Sequence, residues 1–170
     1  MPTLCLTDLE QRAILTHAKR EAPREACGIL LTHPDGRREL VEGWNAQVVL
    51  HRDDPIRYPE PATVAFVLDP MTTGEIIRRR KAGWKLAVIW HSHSNGVDRL
   101  STRDVMASCN EVGEPHYQNT DQVIAVLLMD GRPARLVGFR WDTSRRAYRP
   151  VEITTTESRI LDLTAHDSLI

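Results

Sequence analysis

Residues 84–104 read WKLAVIWHSHSNGVDRLSTRD, and this stretch carries the pattern on which the rest of the chain is organised. Trp84 to Trp90 is a dense apolar run of strand length. His91 and His93 follow two positions apart, so that in an extended backbone both imidazoles leave the same face. Seven residues containing Asn95 and Gly96 are enough to turn the chain back, and a helix opening near Ser101 then offers the Asp104 carboxylate from its first turn. Two neutral imidazoles and a carboxylate suit a catalytic zinc, because three protein ligands leave the fourth tetrahedral position to water. Bound zinc brings the pKa of such a water towards ~7 and polarises a carbonyl oxygen, so metal-assisted hydrolysis, of an amide first of all, is the chemistry expected. A glutamate outside the metal shell is then needed to accept the water's proton and pass it to the leaving amine.

A chance match to HxHx7SxxD is expected about 0.001 times in a chain of this composition. Ser101-x-x-Asp104 taken alone has the form of a helix N-capping box, which stabilises many helices that bind nothing. The pair of histidines ahead of it reverses that preference. The two roles are partly compatible, since a cap would position Asp104 for the ion.

Outward from this centre, Thr7 with Glu10 forms a second capping-box pattern, and the spacing of Leu9, Ala13, Ile14 and Ala18 predicts a helix over about 7–20. Cys27 to Thr32, the turn chemistry of His33-Pro34-Asp35-Gly36, and Glu39 to Trp44 predict a β-hairpin. Residues 45–62, broken by Asp53-Asp54-Pro55, Pro59 and Pro61, predict an irregular excursion. Thr63 to Leu68 is a strand candidate, and Asp69-Pro70 opens a helix through about Lys81. Ser101 to about Glu111 reads as helix and Gly113 to Asp121 as irregular. Val123 to Met129 and Ala134 to Trp141 form a hairpin across Gly131, and Tyr148 to Ile153 adds an edge strand. Strands joined mostly by hairpins, without a regular βαβ repeat, favour an α+β fold with a mixed sheet. One domain over 1–153 is expected, followed by a tail or short helix over 154–170.

The chain of 170 residues carries 22 basic and 23 acidic side chains, a formal net charge of -1. That balance gives no reason to expect a nucleic acid or an anionic membrane as partner. Cys5, Cys27 and Cys109 are widely spaced and odd in number, which fits reduced thiols in the cytoplasm better than a disulfide framework. Asp8, Glu10 and Arg12 interrupt any signal-peptide core, and the longest apolar run, Val123 to Met129, is too short to span a bilayer. Cys109 with His116 supplies two ligands where a closed structural zinc site needs four. Arg78-Arg79-Arg80-Lys81 reads as the wet face of a helix.

The spacing HxHx7SxxD, together with Glu25 just before the small-residue and apolar run Ala26-Cys27-Gly28-Ile29-Leu30-Leu31, resembles the JAMM metalloproteases, the catalytically competent branch of the Jab/MPN domain fold. The resemblance is to the prokaryotic type and covers about 1–150. It implies an MPN/JAB-like mixed β-sheet flanked by helices, with layering similar to that of cytidine deaminases. Carried over residue by residue, it implies that His91, His93 and Asp104 bind zinc, that Glu25 is the general acid/base, and that Ser101 helps to hold the oxyanion of the tetrahedral intermediate. Many members have proline directly after the second histidine, where this chain has Ser94. The implied activity is that of a peptidase or isopeptidase cutting after the C-terminal Gly-Gly of a ubiquitin-like or sulfur-carrier protein, held by strand addition. Stretches 45–62 and 109–121 match the places where relatives insert partner-contacting loops. Removal of a single amino acid such as cysteine from a sulfur carrier is the alternative within the same chemistry. A non-catalytic MPN scaffold is the alternative outside it, disfavoured by the complete ligand set. Self-association into a homodimer is left open.

Overall fold

The computed structural model describes residues 2–157. Among them are the strands β1 (Thr3–Thr7), β2 (Cys27–Thr32), β3 (Arg38–Gly43), β4 (Lys85–His93), β5 (Asp121–Leu127), β6 (Pro133–Asp142) and β7 (Ala147–Thr156), and the helices α1 (Asp8–Glu21), α2 (Gln47–Asp53), α3 (Pro70–Lys81) and α4 (Thr102–Ser108). The seven strands form one mixed sheet in the order β1-β7-β6-β5-β4-β2-β3. β4 and β5 run parallel, as do β1 and β7, and the remaining neighbours are antiparallel. The expected α+β class with a helix-flanked mixed sheet is the one observed.

The hydrophobic alternation explains how both faces are covered. On one side Leu30, Val88, Trp90, Val123, Ala125 and Leu127 pack with Ile14 and Ala18 of α1. On the other, Ile29, Leu31, Leu86 and Ile89 pack with Ile76 of α3. α1 starts where the sequence places it, because Thr7 Oγ1 accepts from the Glu10 amide while the Glu10 carboxylate accepts from the Thr7 amide. Gly28 has a packing reason to be glycine. A Cβ there would come within 2.6 Å of the Trp90 ring and would also strike the Val41 carbonyl oxygen. Neither neighbour is the free end of a flexible chain, so Gly28→Ala is expected to cost about 1–3 kcal/mol or more in a urea unfolding titration. An unchanged midpoint would show that the indole can yield.

Asp69 closes the N-terminus of α3. Its Oδ1 accepts from the amides of Met71 and Thr72, and its Oδ2 accepts from the Thr72 hydroxyl at 2.6 Å and the Trp44 amide at 2.8 Å. Burial works to raise this carboxyl's pKa, but the bonds from Thr72, Trp44 and Met71 outweigh it and hold the group below the usual carboxylate range. A depressed native pKa means that the unfolded chain binds the proton first, so this stability is present above the unfolded value near ~4 and is lost as pH falls further. Asp69→Ala is expected to lower stability at pH 7 by about 2–3 kcal/mol and to flatten the acid side of the stability curve. Denaturant titrations at pH 7 and pH 3 measure both.

Several sequence expectations are corrected. Thr3–Thr7, not anticipated as a strand, pairs in parallel with β7, so β7 lies inside the sheet and is not its edge. β7 also continues past Ile153 to Thr156. The stretch 45–62 contains α2, a helix whose N-cap Ala46 has no side chain to announce it. Thr63 to Leu68 joins no sheet. Its one strand-like contact is an isolated bridge between Leu68 and Asn45. α4 ends at Ser108, short of Glu111, because Cys109 turns extended and bridges to Pro115. The expected tail or short helix lies from residue 158 onwards outside the described residues. No helix among the described residues is long and apolar enough to cross a membrane.

Candidate metal centre

Two elements supply the centre. β4 runs on past its apolar stretch, and its alternation puts Ile89, His91 and His93 on the face towards α3, with Ser92 on the opposite face. Ser92 ties this end of β4 to the start of β2, donating its amide to the Ala26 carbonyl at 2.9 Å and accepting the Ala26 amide on Oγ at 2.8 Å. The chain then turns over Gly96, whose amide donates to the Leu127 carbonyl, and an Asp98–Arg135 ion pair holds the far side of the loop. α4 opens on Ser101 with a full capping box. Ser101 Oγ accepts from the Asp104 amide at 3.1 Å, and Asp104 Oδ2 accepts from the Ser101 amide at 2.7 Å. The cap therefore aims the carboxylate, as the sequence suggested it could.

His91, His93 and Asp104 converge, each buried, with one possible ligand atom apiece inside a span of 4.8 Å. His91 Nε2 lies 3.1 Å from His93 Nε2 and 3.6 Å from Asp104 Oδ1, and His93 Nε2 lies 3.5 Å from Asp104 Oδ2. Ligand atoms placed tetrahedrally at ~2.0–2.1 Å from a zinc ion are separated by about 3.3 Å; the two imidazole nitrogens stand near that spacing, and one atom from each of the three residues falls within the 4.8 Å span, compact enough to hold a metal ion. The tautomer of His93 suits such a site. His93 Nδ1 is 3.0 Å from the Val97 carbonyl. A carbonyl can only accept, so Nδ1 carries the proton and Nε2 presents its lone pair inward. Burial lowers the pKa of the His91 ring, although Asp104 pulls the other way. Phe66 stacks on that ring at a centroid distance of 4.4 Å. His93 is also disfavoured as a cation by burial, but the carboxylates of Asp104 and Glu25 outweigh this and raise its pKa. Burial would raise Asp104 as well, yet the neighbouring imidazoles of His91 and His93, together with Ser101, hold it well below the carboxylate range.

Glu25 faces the same point from the end of the segment that leads into β2. Its Oε1 lies 4.0 Å from His93 Nε2, and its buried Oε2 has no hydrogen-bond partner among the described residues. Burial pushes its pKa up to about 8; the Asp104 charge acts in the same direction, against His93 and Arg103. Ser101 is exposed beside the cluster. All five residues singled out by the motif are therefore brought together. Among the described residues Cys109 and His116 gather no further metal-ligating groups, and His116 helps to line a cavity of about 250 Å³ with Phe66, Leu68, Ile89, Tyr117 and Tyr148, bordered by Asp104.

Sequence reasoning missed several residues that shape the site. Phe66 belonged to a stretch expected to enter the sheet. Asn45 fell in a stretch read as irregular, and nothing in the local pattern marks it. Arg103, next to Asp104, bonds the Val64 carbonyl at 2.7 Å and the Glu60 carboxylate at 2.6 Å.

Comparison with known proteins meets this geometry from outside. No match is found among curated proteins. The chain is similar to a protein of Desulfitobacterium hafniense whose solution structure is known, with a TM-score of 0.60 and 21% identity over 93% of this chain and 94% of that one. A solution structure from Salinibacter ruber matches with a TM-score of 0.56 and 21% identity, covering 94% of each chain. A crystal structure of a JAB1/MPN domain protein from Archaeoglobus fulgidus matches with a TM-score of 0.48 and 15% identity over 90% of this chain and 98% of that one. Residues 10–141, which hold the whole candidate centre, match the family model described as prokaryotic homologs of the JAB domain, and the chain belongs to that family.

Proposed function

We propose that this chain is a zinc-dependent peptidase or isopeptidase that cuts the amide bond after the C-terminal Gly-Gly of a ubiquitin-like or sulfur-carrier protein. The observation that carries the reading is the convergence of His91, His93 and Asp104 at metal-ligand spacing with Glu25 facing them. Two imidazoles and a carboxylate are the donor set of a hydrolytic zinc, and no fourth protein ligand closes the group among the described residues. When bound there, the ion supplies Lewis acidity, which acidifies water and polarises a carbonyl.

The remaining work falls to the chain's own groups. Glu25, as carboxylate, takes a proton from water on one Oε and, as acid, hands it to the departing amine. Its burial suits both halves. The raised pKa makes the carboxylate a stronger base than a solvated one, and it lies close enough to neutrality for the protonated form to act as an acid. Ser101 Oγ spends a lone pair on the Asp104 amide, which leaves its hydroxyl proton to donate to the carbonyl oxygen as charge gathers there. The segment 64–68 supports strand addition. Val67 turns its amide and carbonyl inward to Asn45 Oδ1 and the Ala46 amide. By alternation Phe66 turns its own outward, next to the residue-91 ligand, where an extended tail can pair.

The test is incubation of the zinc-loaded protein with ubiquitin-like and sulfur-carrier fusions, with and without a chelator, read by intact mass. Chelator-sensitive cleavage directly after the second glycine is expected. Loss of a single residue from a carrier would move the assignment to carrier trimming, and no cleavage of any fusion would overturn the reading.

A further inference from the structure

The structure leaves one question open at the proposed acid/base. Glu25 has no side-chain hydrogen bond to aim it, and β2 begins only at Cys27. Its direction must come from the main chain. On the amide side, Glu25 N donates to the Ala62 carbonyl at 2.8 Å. On the carbonyl side, Glu25 O accepts from Asn45 Nδ2 at 2.9 Å. That side chain is 6% exposed and uses everything it has. Nδ2 also donates to the Ala65 carbonyl at 3.0 Å, while Oδ1 accepts from the Gln47 amide at 3.0 Å and the Val67 amide at 3.1 Å. An amide side chain offers two donors and two acceptor lone pairs, so all four valences are filled. The four bonds join residue 25, the start of α2 and the extended segment 65–67, which are remote in sequence.

We propose that Asn45 is the positioning residue of this centre: it holds Glu25 at its working distance from His93 and in one register with the segment carrying Phe66, without touching metal or substrate. The inference rests on the acid/base reading of Glu25. Other residues cannot substitute easily. Aspartate would turn acceptor oxygens towards two carbonyls, leucine would leave four buried backbone groups unpaired, and glutamine is one methylene too long for a filled site. Asn45 contacts neither β4 nor α4 through any of these bonds, so the three metal ligands should be indifferent to its loss.

The experiment is a double-mutant cycle. Single-turnover rates on the cleaved carrier fusion are measured for the wild-type chain, Asn45→Ala, Glu25→Ala and the double variant, each with zinc content and thermal midpoint determined. Asn45→Ala is expected to keep its zinc and to lose on the order of 100-fold in rate, the usual cost of misplacing a reacting group by ~1 Å. In the Glu25→Ala background the same substitution is expected to change nothing further. Equal losses in both backgrounds would show a merely structural role and overturn the proposal. Asn45→Ser, which keeps a hydroxyl for part of the network, stands in should the alanine variant not fold. A crystal structure of the zinc-loaded variant decides independently of turnover. Displacement of Glu25 from its 4.0 Å distance to His93, with His91, His93 and Asp104 in place, is expected. An unmoved Glu25 overturns the proposal even if no fusion is cleaved, and that second failure would count only against the peptidase reading.

Discussion

Asp104→Ala is expected to reduce bound zinc from one ion per chain to a trace after dialysis against metal-free buffer, measured by plasma mass spectrometry. Losing a group that merely orients a ligand already weakens metal binding ~10–100-fold, and removing a ligand outright should exceed that. Asp104 is also the only anionic member of the trio, so the change takes away the charge that attracts the ion. The second job of Asp104 needs separating, since its Oδ2 accepts the Ser101 amide at the head of α4. Asp104→Asn keeps an oxygen for that amide and removes only the charge. It should therefore retain the fold of the alanine variant or better while still failing to hold metal. Zinc at 1,000 times its dissociation constant stabilises a native protein by about 4 kcal/mol. The thermal midpoint of the wild type should climb accordingly with added zinc, and that of either variant should not. Stoichiometric zinc in Asp104→Asn would show that the carboxylate is structural.

Glu25→Gln is expected to do the reverse, keeping the metal and losing turnover. Positioned acid/base groups contribute ~10²–10⁴-fold to rate, and glutamine, equal in size, can neither take nor give the proton. Stability should not suffer. A buried carboxylate with an unpaired oxygen is costly to keep charged, so the neutral amide should melt no lower than the wild type, which is the behaviour of a residue held for activity at the expense of stability. Turnover within tenfold of wild type, with zinc bound, would contradict the acid/base role.

The parts of this fold that were legible in the sequence are those governed by short-range chemistry. The Thr7 and Ser101 boxes, the Asp69-Pro70 start of α3, the hairpin across His33 to Gly36 and the alternation that turns His91 and His93 to one face all involve residues within a few positions of each other. What the sequence hid depends on distant partners. TLCLT is short and unremarkable, and becomes a strand only because β7 offers it an edge. Phe66 looks like a sheet residue, but its neighbours bond to the side chain of Asn45 and not to a strand. α2 has prolines close behind it and no capping side chain ahead. The candidate ligands could be recognised because their spacing is a property of one strand and one turn, whereas the support of Glu25 comes from two remote positions, Asn45 and Ala62, and leaves no pattern to read.

The pairing of β1 with β7 has a bearing on how the protein comes into being. Cys5 meets Thr156 across 151 positions of chain, so during synthesis β1 waits for β7. Until then the cluster that holds Leu4, Leu6 and Ile14 lacks Val151 and Ile153, and contacts of such long range form slowly. The candidate metal centre, built from β2, β4 and α4, can assemble earlier in synthesis, and the seam between β1 and β7 closes after it.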